Sequence, residues 1–144
     1  MYIDTGSRLV RLIYILNTRK FIFFSLFRSI LHLILHLEIE RKFFLCGLKI
    51  IHPYNIIIHP KTILGKRLTV YNNVTIGSVD KGDQTNTPTL GNNVVIFPYS
   101  LIAGNISIGD NVIIQAGSIV LTSVEANTIV AGNPAKVVKL LKNV

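Results

Sequence analysis

The chain has 144 residues, 49% hydrophobic and only 15% charged, with 15 Lys+Arg against 7 Asp+Glu for a formal charge of +8. That length argues for one domain, and so apolar a composition excludes a disordered basic tail and can bury a core. The charge is uneven, with eleven Lys/Arg and three acids in residues 1 to 71 and four of each in 72 to 144, and its interleaving with aliphatic runs argues against a nucleic-acid partner.

Residues 8 to 42 contain neither Gly nor Pro, and their apolar side chains recur at helical spacing. Two helices are predicted, broken at Asn17-Thr18-Arg19-Lys20. In the second, Ser25, Arg28, Ser29, His32 and His36 fall on one polar stripe. Phe21 to Leu37 is shorter than the roughly 18 to 20 apolar residues of a membrane span and carries Arg28 in its middle. A cleavable signal is not expected either, because the apolar run begins late and no small-residue cleavage site follows. This segment, residues 1–47, is expected to pack within an oligomer. The alternative is peripheral membrane contact through residues 8–42, with Arg11, Arg19, Lys20, Arg41 and Lys42 meeting anionic lipid. His32 and His36 have metal-ligand spacing on a helix, but with no third ligand apparent no metal is expected.

From Leu90 the chain repeats every six residues: Leu90, Ile96, Ile102, Ile108, Ile114 and Val120 hold one phase, and Val94, Ser100, Ile106, Val112, Ser118 and Val124 hold a second. Such a period is the signature of a solenoid. Asn92-Asn93 and Asp110-Asn111 stand between the phases, residue types that tolerate left-handed backbone at corners. The register continues upstream through Ile58, Leu64, Val70 and Ile76, with Thr62, Leu68 and Val74 in the companion phase. Fourteen residues separate Ile76 from Leu90 where twelve would keep the period, and the polar run from Gly77 to Thr89 predicts a projecting loop. Strands of three to a turn of about 18 residues predict a triangular β-helix over residues 48–144, capped by the helices at one end and by the segment after Gly132 at the other.

One step back from Ile58 the phase lands on His52, in a slot otherwise aliphatic, and a local rule broken at one position is where function is expected. The alternative is a connector residue ahead of a solenoid that begins at Ile56.

His52-Pro-Tyr-Asn-Ile-Ile-Ile, Val74-Thr-Ile-Gly77, the loop ending at Pro88, the hexads and Ala131-Gly-Asn-Pro-Ala-Lys136 together resemble the hexapeptide-repeat acyltransferases, in the branch of serine acetyltransferases and small sugar O-acetyltransferases. The resemblance covers about residues 48 to 140. It implies a left-handed parallel β-helix, a homotrimer with active sites between subunits, acetyl-CoA as donor and a cytoplasmic location, with the inner membrane face as an option for the amino terminus. It assigns His52 as general base, since a neutral imidazole readily accepts the proton of an attacking hydroxyl. Ser78, Pro98 and Ala116 match donor-binding positions, and Lys136 is placed to meet a CoA phosphate. No acyl-enzyme is required, and Cys46, the only cysteine, reads as structural. It excludes an intrachain disulfide and fits a reducing compartment.

Two departures bear on the acceptor. Serine acetyltransferases carry an aspartate before this histidine and a second histidine before the loop's proline; here those positions are Ile51 and Thr87. A hydroxyl on a sugar of a surface polysaccharide or its precursor is therefore the first expectation, with serine as alternative and a non-catalytic β-helix binding module as a second. His59 points outward by alternation and is a candidate catalytic partner. A zinc carbonic anhydrase would need three histidines, and only His52 and His59 follow residue 36.

Overall fold

The computed structural model describes residues 30, 33–79 and 86–141. Their polypeptide winds through short parallel strands on three faces. The first face stacks β1 (Leu37–Glu38), β3 (Ile56–Ile58), β6 (Val74–Gly77), β9 (Leu101–Ala103) and β12 (Ile119–Val120). The second stacks β4 (Ile63–Leu64), β7 (Thr89–Leu90) and β10 (Ser107–Ile108). The third carries β2 (Lys49–Ile50), β5 (Thr69–Val70), β8 (Val95–Ile96), β11 (Ile113–Ile114), β13 (Thr128–Gly132) and β14 (Ala135–Leu140). This is the triangular β-helix expected from the hexads, of the left-handed parallel kind that the resemblance implies.

Burial explains the period. Ile58, Val70, Ile76, Leu90, Ile96, Ile102, Ile108, Ile114 and Val120 all lie inside, and Leu64 packs against them half-buried. The companion phase is buried too, including Ser100, Ser118 and Thr62. A hydroxyl in this slot needs a local acceptor: Ser118 Oγ donates to the Gln115 carbonyl at 2.5 Å and Ser100 Oγ to that of Phe97 at 2.8 Å. Corners turn through left-handed residues, Asn73, Asn93, Asn111 and Asn127 among them. The last three stack, Asn93 Nδ2 donating to Asn111 Oδ1 and Asn111 Nδ2 to Asn127 Oδ1.

α1 (Arg41–Leu45) buries Phe43 and Phe44 at the lower end, and β14 pairs antiparallel with β13 at the upper. Three details differ from expectation. The second helix stops before residue 37: Leu37–Glu38 is a strand in register with Ile56–Ile57, since a buried Leu37 completes the first face beneath Ile56. The loop inserts eight residues rather than two, because Leu64 pairs with Leu90, 26 positions on, where Ile56 pairs with Val74, 18 on. The residues following Ile76 open a corner, and counting a hexad through it hid six of them. Finally, the slot assigned to His52 is filled by Ile50, paired with Val70 and fully buried.

The break at residues 17–20, most of the polar stripe and most of the basic flanks lie outside the described residues. Among the described residues, no helix is long and apolar enough to cross a membrane, and no group of three or more His, Cys, Asp or Glu side chains could hold a metal ion.

Candidate active site

The corner leading from the third face to the first carries His52. In the upper coils it takes three residues to pass from the last buried strand residue to the left-handed one: Val70 to Asn73, Ile96 to Tyr99, Ile114 to Gly117. In the lowest coil it takes five, Ile50 to Asn55. Cross-coil hydrogen bonds locate the excess. Ile51 donates its amide to Val70 as Tyr71 does to Ile96, and the Tyr54 carbonyl accepts from Asn73 as that of Asn72 does from Tyr99. His52-Pro53 is the insertion between these matched points. His52 adopts φ 54° and is exposed, so a hexad count lands on it while the folded chain turns it outward. Among the described residues its ring has no hydrogen-bond partner, and Ile51 beside it offers no carboxylate. A base must reach its substrate, and this placement leaves both ring nitrogens available to one.

Pro98 and Ala116 stand at the same corner in successive coils. The Pro98 carbonyl already accepts the Gly117 amide at 2.9 Å, leaving one lone pair for any ligand. Lys136 is exposed on β14. In the third face β14 lies five strand spacings from β2, or about 24 Å along the stack from the coil of His52.

The next corner, from the first face to the second, holds Ser78 and Thr87 at either end of the inserted loop. Here a cleft of about 430 Å³ opens, lined by residues that include Glu38, Glu40, Ile57, His59, Pro60, Thr75, Gly77 and Ser78. Gly77 contributes open space, since a Cβ built on it would meet nothing within 4 Å. The turn below is heavily tied. His59 Nδ1 accepts the Lys61 amide at 3.2 Å, Thr62 donates its amide to the His59 carbonyl at 3.0 Å, and Thr87 Oγ1 donates to the Lys61 carbonyl at 3.2 Å. Lys42 Nζ bonds the Pro60 carbonyl and pairs with Glu40 at 3.1 Å, joining the strap before α1 to the turn. Thr87 is thus buried and engaged with backbone, where a second histidine was absent from the sequence. His52 and His59 lie at opposite ends of β3, so one chain does not bring them together. Glu38 and Glu40 were missed because that stretch reads as helix; the signal was the alternation Leu37-Glu38-Ile39-Glu40, which is strand spacing.

Comparisons with known proteins agree with this geometry. Residues 87–122 match the family model described as bacterial transferase hexapeptide (six repeats). The serine acetyltransferase of Synechococcus elongatus is 39% identical over 92 residues, 64% of this chain and 38% of that protein. That of Helicobacter pylori is 35% identical over 92 residues, 64% of this chain and 54% of its own length. Among solved structures, serine acetyltransferase from Neisseria gonorrhoeae superposes with a TM-score of 0.65 at 33% identity, covering 68% of this chain and 38% of that one. The Brucella abortus enzyme in complex with coenzyme A gives 0.64 at 30% identity, covering 68% and 39%. The chain therefore spans between about a third and about a half of the length of these relatives. The coil stack, its two insertions and these matches make the chain similar, over its β-helix, to the hexapeptide-repeat serine acetyltransferases.

Proposed function

We propose that the chain is an acetyl-CoA-dependent O-acetyltransferase with His52 as general base. The observation that carries this is the His52-Pro53 insertion, which lengthens the corner from the third face to the first in the lowest coil and turns an unpartnered imidazole outward, in a chain similar to serine acetyltransferases. His52 takes the proton of the acceptor hydroxyl as that oxygen attacks the thioester carbonyl, and the tetrahedral intermediate collapses with loss of the CoA thiolate, which is protonated in turn. Backbone N–H groups at the corner stabilise the oxyanion. Ser78, Pro98, Ala116 and Lys136 are assigned to the donor, the first three chiefly through backbone and Lys136 through its charge.

This reading calls for a homotrimer. Within one chain the residues from 55 to 59 span about 13 Å of extended backbone, so His52 and the loop corner can share a substrate only across copies. The relatives are named for serine, which supports serine as acceptor ahead of the sugar hydroxyl expected from the sequence. A sugar acceptor is the second reading, favoured by Thr87, whose side chain is buried against backbone instead of being offered to substrate.

The test is CoA release from acetyl-CoA by the pure protein, with L-serine and with sugars as acceptors. His52→Ala, folded by circular dichroism, is expected to lose at least about a hundredfold in turnover. Turnover like that of the wild type in this variant would remove the assignment.

A further inference from the structure

The cleft at the loop corner holds a histidine whose tautomer the fold sets. Because Nδ1 of His59 accepts the Lys61 amide, the ring proton of the neutral form sits on Nε2. The turn that fixes the ring has its carbonyls engaged: that of His59 by Thr62, that of Pro60 by Lys42, that of Lys61 by Thr87. These ties hold the ring at a cleft that Thr75 and Ser78 also line. Glu38, the register partner of Ile57 on the neighbouring strand, and Glu40 also line the cleft. Glu40 pairs with Lys42, whereas Glu38 has no ion pair among the described residues and lines the cleft. An N–H donor and a carboxylate lining one cleft, together with Ile57, suit a small polar molecule bearing an ammonium group and an oxygen a few ångströms away.

We infer that this cleft is the acceptor-recognition site: Glu38 takes the acceptor's ammonium group and the His59 Nε2–H donates to one of its oxygens. The inference rests on the acetyltransferase reading for its role, though not for its chemistry. A free β-hydroxy amino acid and an amino sugar both carry the required pair of groups, and they are separated by experiment. His59 is here an acceptor-binding residue, distinct from the base.

Two variants separate binding from folding. His59→Asn keeps an oxygen where Nδ1 lies, able to accept the Lys61 amide as an Asx turn, and deletes Nε2. His59→Gln does the reverse, restoring a donor near Nε2 without the turn bond. The expected result is that His59→Asn raises the acceptor KM about tenfold or more, with acetyl-CoA KM and kcat little changed, and that His59→Gln recovers part of the loss. Glu38→Gln is expected to weaken L-serine or glucosamine by a similar factor and to leave the amine-free analogues, glycerate and glucose, unaffected. Direct binding of L-serine and of glucosamine, followed by calorimetry without acetyl-CoA, is read alongside. A wild-type protein that binds one of them and loses it in Glu38→Gln, yet transfers no acetyl group, would sink the acetyltransferase reading and retain the cleft. An unchanged acceptor KM in His59→Asn, or no binding of either amine by the wild type, overturns the cleft assignment.

Discussion

Thr62 is the sharpest test of how the inner slots are filled. It occupies a companion-phase position held elsewhere by Val, Ile, Leu or Ser, is 3% exposed, and its Oγ1 is buried with no partner among the described residues. The serines of the same phase avoid that cost by donating to carbonyls at their own corners. Leaving a buried hydroxyl unpaired costs about 1 to 3 kcal/mol. Valine has the shape of threonine without the hydroxyl, so no cavity is created. Thr62→Val is accordingly expected to raise stability by about 1 kcal/mol, or roughly 2 to 5 °C in Tm for a unit of this size. Thr128 is the control: it is 2% exposed, but its Oγ1 donates to the Glu125 carbonyl at 2.8 Å. Thr128→Val removes a made bond and orphans nothing in return except a carbonyl, so it is expected to lower stability by about 1 kcal/mol. Urea denaturation of both variants and the wild type, at one protein concentration because assembly shifts the midpoint, reads the two signs. A Thr62→Val protein no more stable than wild type would refute the reasoning.

Two further outcomes follow from the corner between the second and third faces. Gly65, Gly91 and Gly109 stack there, and a Cβ on Gly91 would come within 2.9 Å of the Asp110 amide nitrogen; Gly91→Ala is expected to cost about 2 to 3 kcal/mol by overpacking against backbone, checked by thermal denaturation. Asp110 accepts the Asn92 amide at 2.6 Å and the Asn92 Nδ2 at 3.2 Å, which hold its carboxyl below the usual range, the backbone bond contributing most. A depressed folded value means the contribution is complete above the ordinary Asp value and lost as pH falls through the lowered one. The Tm difference between wild type and Asp110→Asn should therefore be constant at neutral pH and close below about pH 4; a difference that grows in acid would contradict this.

The repeat was legible because a narrow core admits one side-chain class at each inward position, so that Leu90 through Val120 report their burial directly. Corners were legible where they use Asn for left-handed backbone, and less so at Arg67 and Tyr99, which adopt φ 60° and 62° without a residue type that announces it. The site was harder. A period states where residues ought to be, and His52-Pro53 and the loop both add residues at corners, where no inward side chain marks the count. His52 was thus singled out correctly as a departure from the pattern but placed on the wrong side of the wall, which Ile50 occupies. The cleft was illegible because one wall, Glu38 and Glu40, precedes the first complete coil and its strand is only two residues long, too short to overcome the helical reading of its neighbours.

Both insertions flank the first face, and this explains how a scaffold that repeats so closely can carry a single site. Each regular coil presents nearly the same backbone to solvent, so a ligand that bonded only to that backbone could slide along the stack from coil to coil. Lengthening one corner by His52-Pro53 before β3, and the corner after β6 by eight residues, breaks that equivalence at the second and third of the five strands of the face. The outward side chains of the face, Ile57 and Thr75 near the cleft and Leu101 and Ile119 above it, are half-buried and apolar apart from Thr75. They offer contact along the stack without offering a second set of polar groups. The polar groups proposed above to recognise or deprotonate an acceptor, His52, His59 and Glu38, are confined to the two lowest strands and their corners. Position along the stack is therefore encoded by where the coil is lengthened, and the uniform coils above supply the length over which a long donor can lie.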